Sequence, residues 1–199
     1  MEGHNQRKQP PATFDRMGGL KVVEGYFLRK GWSTMKKYYL AYGSNLSMAQ
    51  MASRCPNAVC IGTAELKDYR LLFKGSRSGS YLTVEPKKGS KVPVLVWSIS
   101  EKDEMNLDRY EGVPAFYYRK EMEIAVKLFE TDAELILNAL IYIMHEDRPL
   151  GCPNIHYYDV CLEGYSRFGF DTAPLEQALL DSVGTRTGKQ LLKEVGYFD

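Results

Sequence analysis

The stretch from Tyr38 to Leu46, which reads YYLAYGSNL, is the clearest structural signal in this chain. Its first five residues form an aromatic and apolar run, which is typical of a short buried strand. Gly43 breaks the run, and the side chain of Ser44 or Asn45 can cap a helix that continues to about Arg54. The pattern therefore predicts a strand that turns directly into a helix.

Downstream of this stretch, apolar runs and helical patterns follow one another in mixed order. Strands are predicted at residues 60–66, 69–73, 81–85, 92–99, 117–126 and 134–144, with a turn at 86–90. Helices are predicted at residues 100–112, 154–168 and 175–183, and a short one at 187–195. Because helices do not regularly separate the strands, a doubly wound parallel sheet is not expected. The pattern favours a mixed sheet or a small barrel flanked by helices.

The length of 199 residues fits one domain with extensions at its ends. Residues 1–34 differ from the rest, because they open with a polar, proline-containing segment and then carry scattered aromatic residues. We interpret them as an upstream extension, with a functional arm as the alternative. The main domain is predicted at residues 35–184, and residues 185–199 are predicted to form a tail or a short helix.

The charge and the cysteine content argue against several classes of function. A formal net charge of +1 provides no strong field for nucleic acid or a membrane surface, so neither is expected as a partner. No apolar run reaches the ~20 residues of a membrane span, and no signal-peptide pattern opens the chain. The four cysteines form no CxxC pair and only three histidines are present, so no metal site is expected. We expect a cytoplasmic protein with reduced thiols.

The predicted strand-to-helix turn is the first candidate site. Main-chain N–H groups at such a turn lack intrahelical partners, and the helix dipole adds positive potential. Gly43 has no Cβ, so a ligand can approach the main chain closely. These features suit a carboxylate or a phosphate, although strand–glycine–helix turns also occur purely for packing.

The segment LDRYEG, residues 107–112, is the second candidate. It places a carboxylate, Glu111, at the end of a predicted helix, next to a glycine and beside aromatic residues. If Glu111 lies in an apolar pocket, desolvation raises its pKa and lets it accept and return a proton near neutral pH. The alternative is an ordinary exposed carboxylate. Asp108 and Arg109 are interpreted as a solvated pair rather than as catalysts.

Tyrosine pairs at Tyr117-Tyr118 and Tyr157-Tyr158 are the third candidate. Tyrosine side chains make flat pocket walls with one polar tip, although such pairs often belong to the core or the surface instead. Cys161 and His156 are close in sequence, but proximity in sequence alone does not predict a catalytic Cys–His pair.

These marks stand in a definite order: YGSNL at residues 42–46, LDRYEG followed by Tyr-Tyr-Arg, and Pro-x-x-x-Tyr at residues 153–157. In this order they resemble the γ-glutamylcyclotransferase family, also called AIG2-like, over roughly residues 36–183. The resemblance implies a compact α+β fold around a small mixed β-barrel, flanked by helices. The catalytic glutamate of the family matches Glu111. The substrate-binding positions that the resemblance implies are Tyr42, Gly43, Ser44, Asn45, Leu46, Tyr117 and Tyr157, with Tyr158 as an open alternative to Tyr157.

The resemblance also implies an enzyme that releases 5-oxoproline from a small γ-glutamyl compound, as in glutathione metabolism, without a metal or organic cofactor. In that family the Tyr-Gly-Ser-Asn loop binds the α-carboxylate of the glutamyl group through main-chain N–H groups. Ser44-Asn45 is typical of members that act on γ-glutamyl amino acids, so we expect such a substrate. Two alternatives stay open: a non-catalytic binding or regulatory module, and a cyclotransferase for a specialised γ-glutamylamine or γ-glutamyl antibiotic. Whether the chain forms a homodimer is open as well.

Overall fold

The computed structural model describes residues 36–76 and 79–184, together with residues 189, 190 and 193. The predicted N-terminal extension, residues 1–34, lies outside the described residues, as does most of the predicted tail at 185–199 with its short helix. In the described stretches, no helix is long and apolar enough to cross a membrane.

In the described residues, five strands and four α-helices build the domain. The strands are β1 (Lys37–Ala41), β2 (Val59–Ser76), β3 (Gly79–Ile99), β4 (Tyr117–Leu128) and β5 (Glu134–Met144). The helices are α1 (Met48–Arg54), α2 (Glu101–Glu111), α3 (Ile155–Arg167) and α4 (Ala173–Val183), and a 3₁₀ turn at Ser44–Leu46 links β1 to α1. The strands close into a barrel in the order β1-β3-β2-β4-β5. Since β1 pairs antiparallel with β3 and parallel with β5, the barrel is mixed, which confirms the expected α+β fold.

β2 and β3 form one long hairpin where the sequence predicted four shorter strands. β2 continues through the predicted break at Lys67-Asp68 and β3 continues through the predicted turn at 86–90, so both predictions were wrong. A register shift between Lys67 and Tyr69 absorbs Asp68, whose φ is 60°. The Asp68 carboxylate accepts a hydrogen bond from the Gly89 N–H at 2.7 Å. The two irregular segments therefore stabilise each other, and the strands continue past them.

The first helix begins later than the sequence predicted. The 3₁₀ turn occupies Ser44 and Asn45, and the cap of α1 is Ser47. The Ser47 Oγ accepts a hydrogen bond from the Gln50 N–H at 3.4 Å. The prediction that Ser44 or Asn45 caps this helix was therefore wrong, and both side chains make other contacts, described below.

Helix α2 begins and ends as its sequence predicted. The Ser100 Oγ accepts a hydrogen bond from the Asp103 N–H at 3.2 Å, and the Asp103 carboxylate accepts one from the Ser100 N–H at 3.0 Å. The helix ends at Gly112, whose φ of 67° is left-handed and favours glycine. This C-terminal cap makes Glu111 the last residue of the helix.

Helix α3 packs against the 3₁₀ turn that leads into the site. A Cβ at Gly164 would lie 2.5 Å from the Cβ of Leu46, which is itself fully buried. Tyr158, Cys161 and Tyr165 on the same helix are fully buried as well. Because protein interiors are close-packed, this contact holds the turn in place against the helix.

Candidate active site

A cavity of about 510 Å³ lies at the C-terminal end of β1. The turn at residues 43–45 forms one part of its wall, and the end of α2 contributes Glu111. Among the described residues, Glu111 and Arg148 are the charged side chains that line it. The rest of the wall is mainly aromatic and includes seven tyrosines: Tyr39, Tyr42, Tyr81, Tyr110, Tyr117, Tyr142 and Tyr157.

The turn after β1 presents main-chain hydrogen-bond donors. Within the described part of the chain, the N–H groups of Gly43, Ser44 and Asn45 meet no acceptor, whereas the Leu46 N–H donates to the Gly43 carbonyl at 2.9 Å. A Cβ at Gly43 would lie 3.1 Å from the Tyr157 hydroxyl oxygen, so a larger residue would crowd the cavity. The unpaired N–H groups are therefore available to an anion bound beside the turn.

Asn45 connects this turn to Glu111. Its Nδ2 donates to a carboxyl oxygen of Glu111 at 3.2 Å and to the hydroxyl of Tyr39 at 2.8 Å. Its Oδ1 accepts a hydrogen bond from Arg54. Because a guanidinium group only donates, Arg54 determines which end of the amide faces Glu111. The network therefore holds a hydrogen-bond donor against the carboxyl group.

Burial raises the pKa of Glu111 from its ordinary value of 4.5 to about 7. The positive charge of Arg54 and the hydrogen bond from Asn45 lower the pKa, but they offset the desolvation only in part. Near neutral pH the carboxyl group can therefore both accept and release a proton. Glu111 thus lies in the surroundings that its proposed role as a proton carrier requires.

Arg54, in the last turn of α1, is a part of the site that the sequence reasoning missed. Its Nη2 donates to the Tyr110 hydroxyl at 2.5 Å, and its guanidinium carbon lies 3.6 Å from the centre of the Tyr110 ring. Its Nη1 also contacts the Ser44 Oγ at 3.3 Å. These contacts make Arg54 a fixed positive charge beside the turn. The available signal was a basic residue at the end of the helix that follows the YGSN segment.

Two tyrosines of the cavity wall form hydrogen bonds with the main chain of the same β3 residue, Leu82. The Tyr117 hydroxyl donates to the Leu82 carbonyl at 2.9 Å, and the Leu82 N–H donates to the Tyr157 hydroxyl oxygen at 3.1 Å. Burial raises the pKa of both phenols well above its ordinary value, so both stay protonated near neutral pH. Tyr117 and Tyr157 are therefore held in the cavity wall as neutral phenols.

A further hydrogen-bonded chain joins the cavity to α2. The Tyr42 hydroxyl donates to the main-chain oxygen of Tyr142 at 2.6 Å, and the Tyr142 hydroxyl donates to the Asp108 carboxylate at 2.9 Å. Arg119 approaches the same carboxylate at 3.7 Å. The interpretation of Asp108 and Arg109 as a solvated pair was therefore wrong, because α2 turns Asp108 towards the neighbouring strands β4 and β5.

The structure brings together most, but not all, of the positions predicted for the site. Leu46 does not line the cavity, because it is fully buried and packs against Gly164. Tyr158 is also fully buried, with its ring centre 6.0 Å from that of Phe73, so Tyr157 is the tyrosine at the cavity. The predicted positions that do line the cavity are Tyr42, Gly43, Ser44, Asn45, Glu111, Tyr117 and Tyr157.

Two other kinds of site can be judged from the residues that the structure describes. Among them, no group of three or more His, Cys, Asp or Glu side chains could hold a metal ion. His156 is exposed, whereas burial raises the pKa of the Cys161 thiol to about 12 and keeps it protonated. These two residues do not form a catalytic pair.

The fold and the site together define a class of protein. It is a small closed barrel with a cavity at one end of β1. On one side the cavity has main-chain N–H donors that suit an anion, and on another it has a carboxyl group whose pKa burial raises to about 7. The sequence profile of the family described as "Gamma-glutamyl cyclotransferase, AIG2-like" matches residues 39–160, and the chain belongs to this family.

Individual relatives agree with this family assignment. The chain is 28% identical over 159 residues to a gamma-glutamylcyclotransferase from Homo sapiens, a match that covers 76% of this chain and 81% of that protein. It is 34% identical over 87 residues to the Bos taurus protein of the same name, which covers 40% of this chain and 46% of that protein. A solved structure of a gamma-glutamyl cyclotransferase superposes with a TM-score of 0.57 at 24% identity, covering 80% of this chain and 99% of that one. At this identity, the superposition supports the fold alone.

Proposed function

We propose that this protein is a γ-glutamylcyclotransferase that converts a γ-glutamyl amino acid into 5-oxoproline and the free amino acid. Membership of the family supports the reaction class. The observation that carries the proposal is Glu111, a carboxyl group whose pKa is raised to about 7 and which Asn45 joins to a turn with unpaired N–H groups. The reaction needs both features, because an anionic substrate must be held while a proton moves.

In this proposal the N–H groups of Gly43, Ser44 and Asn45 bind the α-carboxylate of the glutamyl group. Asn45 contacts Glu111 at 3.2 Å, so a substrate held by the turn presents its α-ammonium group close to that carboxylate. The cavity of about 510 Å³ is in the range of small-molecule sites and accommodates a dipeptide-sized ligand.

The proposed reaction is an intramolecular aminolysis. The α-nitrogen attacks the γ-carbonyl carbon of the same molecule, a new C–N bond closes the lactam ring, and the C–N bond to the leaving amino acid breaks. The α-ammonium group loses two protons in all, and the leaving nitrogen gains two and departs as an ammonium group. Glu111 carries these protons one at a time and ends in its starting state. The step involves no oxidation and requires no cofactor.

General acid–base help by Glu111 contributes roughly 10²–10⁴-fold to the rate. The attacking and attacked groups belong to one molecule, so the site only has to select the folded substrate conformer in which they meet. The turn fixes one end of that conformer, and the tyrosine wall limits the space for extended ones.

The test measures release of 5-oxoproline by the purified protein from γ-glutamyl dipeptides, glutathione and γ-glutamylamines. The Glu111→Gln variant should lose turnover by roughly 10²-fold or more, because it has no base, yet should bind substrate almost normally, since glutamine can still accept the hydrogen bond from Asn45. Glu163→Gln, an exposed position on α3 that does not line the cavity, is the matched control and should keep the parent activity.

Each other outcome has a defined meaning. Turnover by Glu111→Gln at the parent rate contradicts the assignment of the proton carrier. Binding without release by the folded parent protein favours a non-catalytic binding module. Release from γ-glutamylamines alone favours the specialised branch of the family.

A further inference from the structure

Arg148, in the loop between β5 and α3, lines the cavity at a position that the mechanism above does not use. Its Nη2 donates to the main-chain oxygen of Ala115 at 2.9 Å, and its guanidinium carbon lies 4.9 Å from the centre of the Phe116 ring. Both contacts belong to the segment that follows α2. They hold the guanidinium group on the cavity wall.

The hydrogen-bonding capacity of Arg148 is largely unused. A guanidinium group has five N–H donors, and Ala115 accepts from one of its nitrogens. No carboxylate among the described residues pairs with Arg148, and its buried Nε–H meets no acceptor there. An unpaired buried donor is unfavourable, so an anionic ligand group beside Arg148 would be stabilised by it.

Arg54 provides a contrast, because both of its terminal nitrogens already donate to groups of the protein. It contacts Asn45, Ser44 and Tyr110, all within the protein. Arg148 therefore keeps more donors for a ligand than Arg54 does, and among the described residues it is the arginine that lines the cavity. It lies on the loop before α3, whereas Arg54 supports the turn that is proposed to hold the glutamyl group.

The charges of the substrate can be matched to those of the cavity. A γ-glutamyl amino acid has two carboxylates and one ammonium group. If the turn holds the α-carboxylate and Glu111 faces the ammonium group, the carboxylate of the leaving amino acid remains, and Arg148 is the charged wall residue that remains. A γ-glutamylamine would bring no anion to Arg148.

We propose that Arg148 binds the carboxylate of the leaving amino acid, so that the site selects γ-glutamyl amino acids and peptides over γ-glutamylamines. This inference rests on the proposed function and deepens it, because it names the charge that the leaving group must carry. Arg148 acts as a specificity-determining residue and takes no part in proton transfer.

The experiment compares two substrates that differ only in the charge of the leaving group, γ-glutamylalanine and γ-glutamylalaninamide. The parent should prefer the acid by about 10- to 100-fold in kcat/KM, because the acid forms a charge-assisted hydrogen bond with Arg148 that the amide lacks. Arg148→Gln should abolish this preference, mainly through a higher KM for the acid, and leave turnover of the amide unchanged. Arg148→Lys should keep part of the preference, because lysine retains the charge but not the planar fork.

Arg109→Gln is the matched control. It removes an arginine two positions before Glu111 whose side chain is exposed and does not line the cavity. This variant should keep the parent preference, which would show that the effect of Arg148 is local and not a general effect of charge. Loss of the preference in Arg109→Gln to the same extent would overturn the proposal.

A binding measurement separates this inference from the proposed function. In the Glu111→Gln background, calorimetry should show that adding Arg148→Gln weakens binding of γ-glutamylalanine about tenfold or more and leaves γ-glutamylalaninamide unaffected. If the parent does not distinguish the two substrates, or if Arg148→Gln loses both equally, the assignment of Arg148 is wrong and the cyclotransferase activity still stands. If neither substrate yields 5-oxoproline, the proposed function fails, and equal binding by the single and double variants then overturns the role of Arg148 too.

Discussion

Replacing Glu111 by glutamine should stabilise the folded protein at alkaline pH. The ordinary pKa of the Glu111 carboxyl group is 4.5, and burial in the folded protein raises it to about 7. At this carboxyl group the folded state therefore binds more protons than the unfolded state between these values, so the contribution of Glu111 to stability is greatest below pH 4.5 and is lost as the pH rises through 7. At about 1.36 kcal/mol per pKa unit, the difference between 4.5 and about 7 corresponds to about 3 kcal/mol in full. Because Glu111 is half-buried and solvent screens part of this effect, we expect about 2 kcal/mol between pH 5 and pH 8.

Urea unfolding followed by far-UV circular dichroism measures this effect. The free energy of unfolding of Glu111→Gln should exceed that of the parent, and the gap should widen by about 2 kcal/mol from pH 5 to pH 8. Glutamine keeps the shape of the side chain and the hydrogen bond from Asn45, so changes in packing should be small at both pH values. The control is Glu163→Gln, an exposed substitution on α3 that leaves Glu111 in place, unfolded at the same two pH values. A gap of equal size at both pH values for Glu111→Gln would refute the claim that this carboxyl group is desolvated.

Three further predictions concern residues around the cavity. Arg54→Met removes the positive charge that lowers the pKa of Glu111. The limb of the kcat/KM profile that rises near pH 7 in the parent should therefore move up by about one pH unit or more. An unchanged profile would mean that this charge does not affect the pKa of Glu111. Gly43→Ala places a Cβ 3.1 Å from the Tyr157 hydroxyl oxygen, so substrate binding should weaken by roughly tenfold or more, and Tyr157→Phe in the same chain should restore part of it if crowding is the cause. Gly164→Ala places a Cβ 2.5 Å from the Cβ of Leu46 in the 3₁₀ turn. It should lower the free energy of unfolding, measured with urea, by about 2 kcal/mol. No loss of stability would show that α3 can shift to make room.

The parts of the site that lie within one short segment could be predicted from the sequence. A turn at residues 42–45 is predicted by the local change from aromatic and apolar residues to a glycine and two polar residues. Glu111 follows from a helix that must end at Gly112, whose left-handed conformation caps α2. In both places backbone preferences act over a few residues, although the sequence did not predict the 3₁₀ turn that precedes the helix cap at Ser47.

Residues that reach the cavity through barrel closure could not be predicted in the same way. Tyr142 lies in a strand segment, residues 139–144, in which every residue is buried, so no alternation shows which side chains face the cavity. Arg148 lies in a polar loop that resembles any exposed loop in composition. Its position on the cavity wall depends on contacts with Ala115 and Phe116, which are more than thirty residues away in the chain.

The long hairpin shows how pairing between strands can override local signals. Lys67-Asp68 and residues 86–90 each have the composition of a turn, which predicts the end of a strand at both places. The hydrogen bond between Asp68 and Gly89 joins the two irregular segments, so a single bulge accommodates both. Neither segment alone carries information about its partner.

The hydrogen bonds that join the hydroxyl groups of Tyr117 and Tyr157 to the main chain of Leu82 have a thermodynamic consequence for ligand binding. These two side chains are already immobilised before any ligand arrives, so little protein conformational entropy remains to be lost at this part of the wall. The ordering cost of association therefore falls mainly on the ligand, whose flexible chain must adopt one shape. A ligand made rigid in that shape should gain affinity through a more favourable binding entropy, with the protein unchanged.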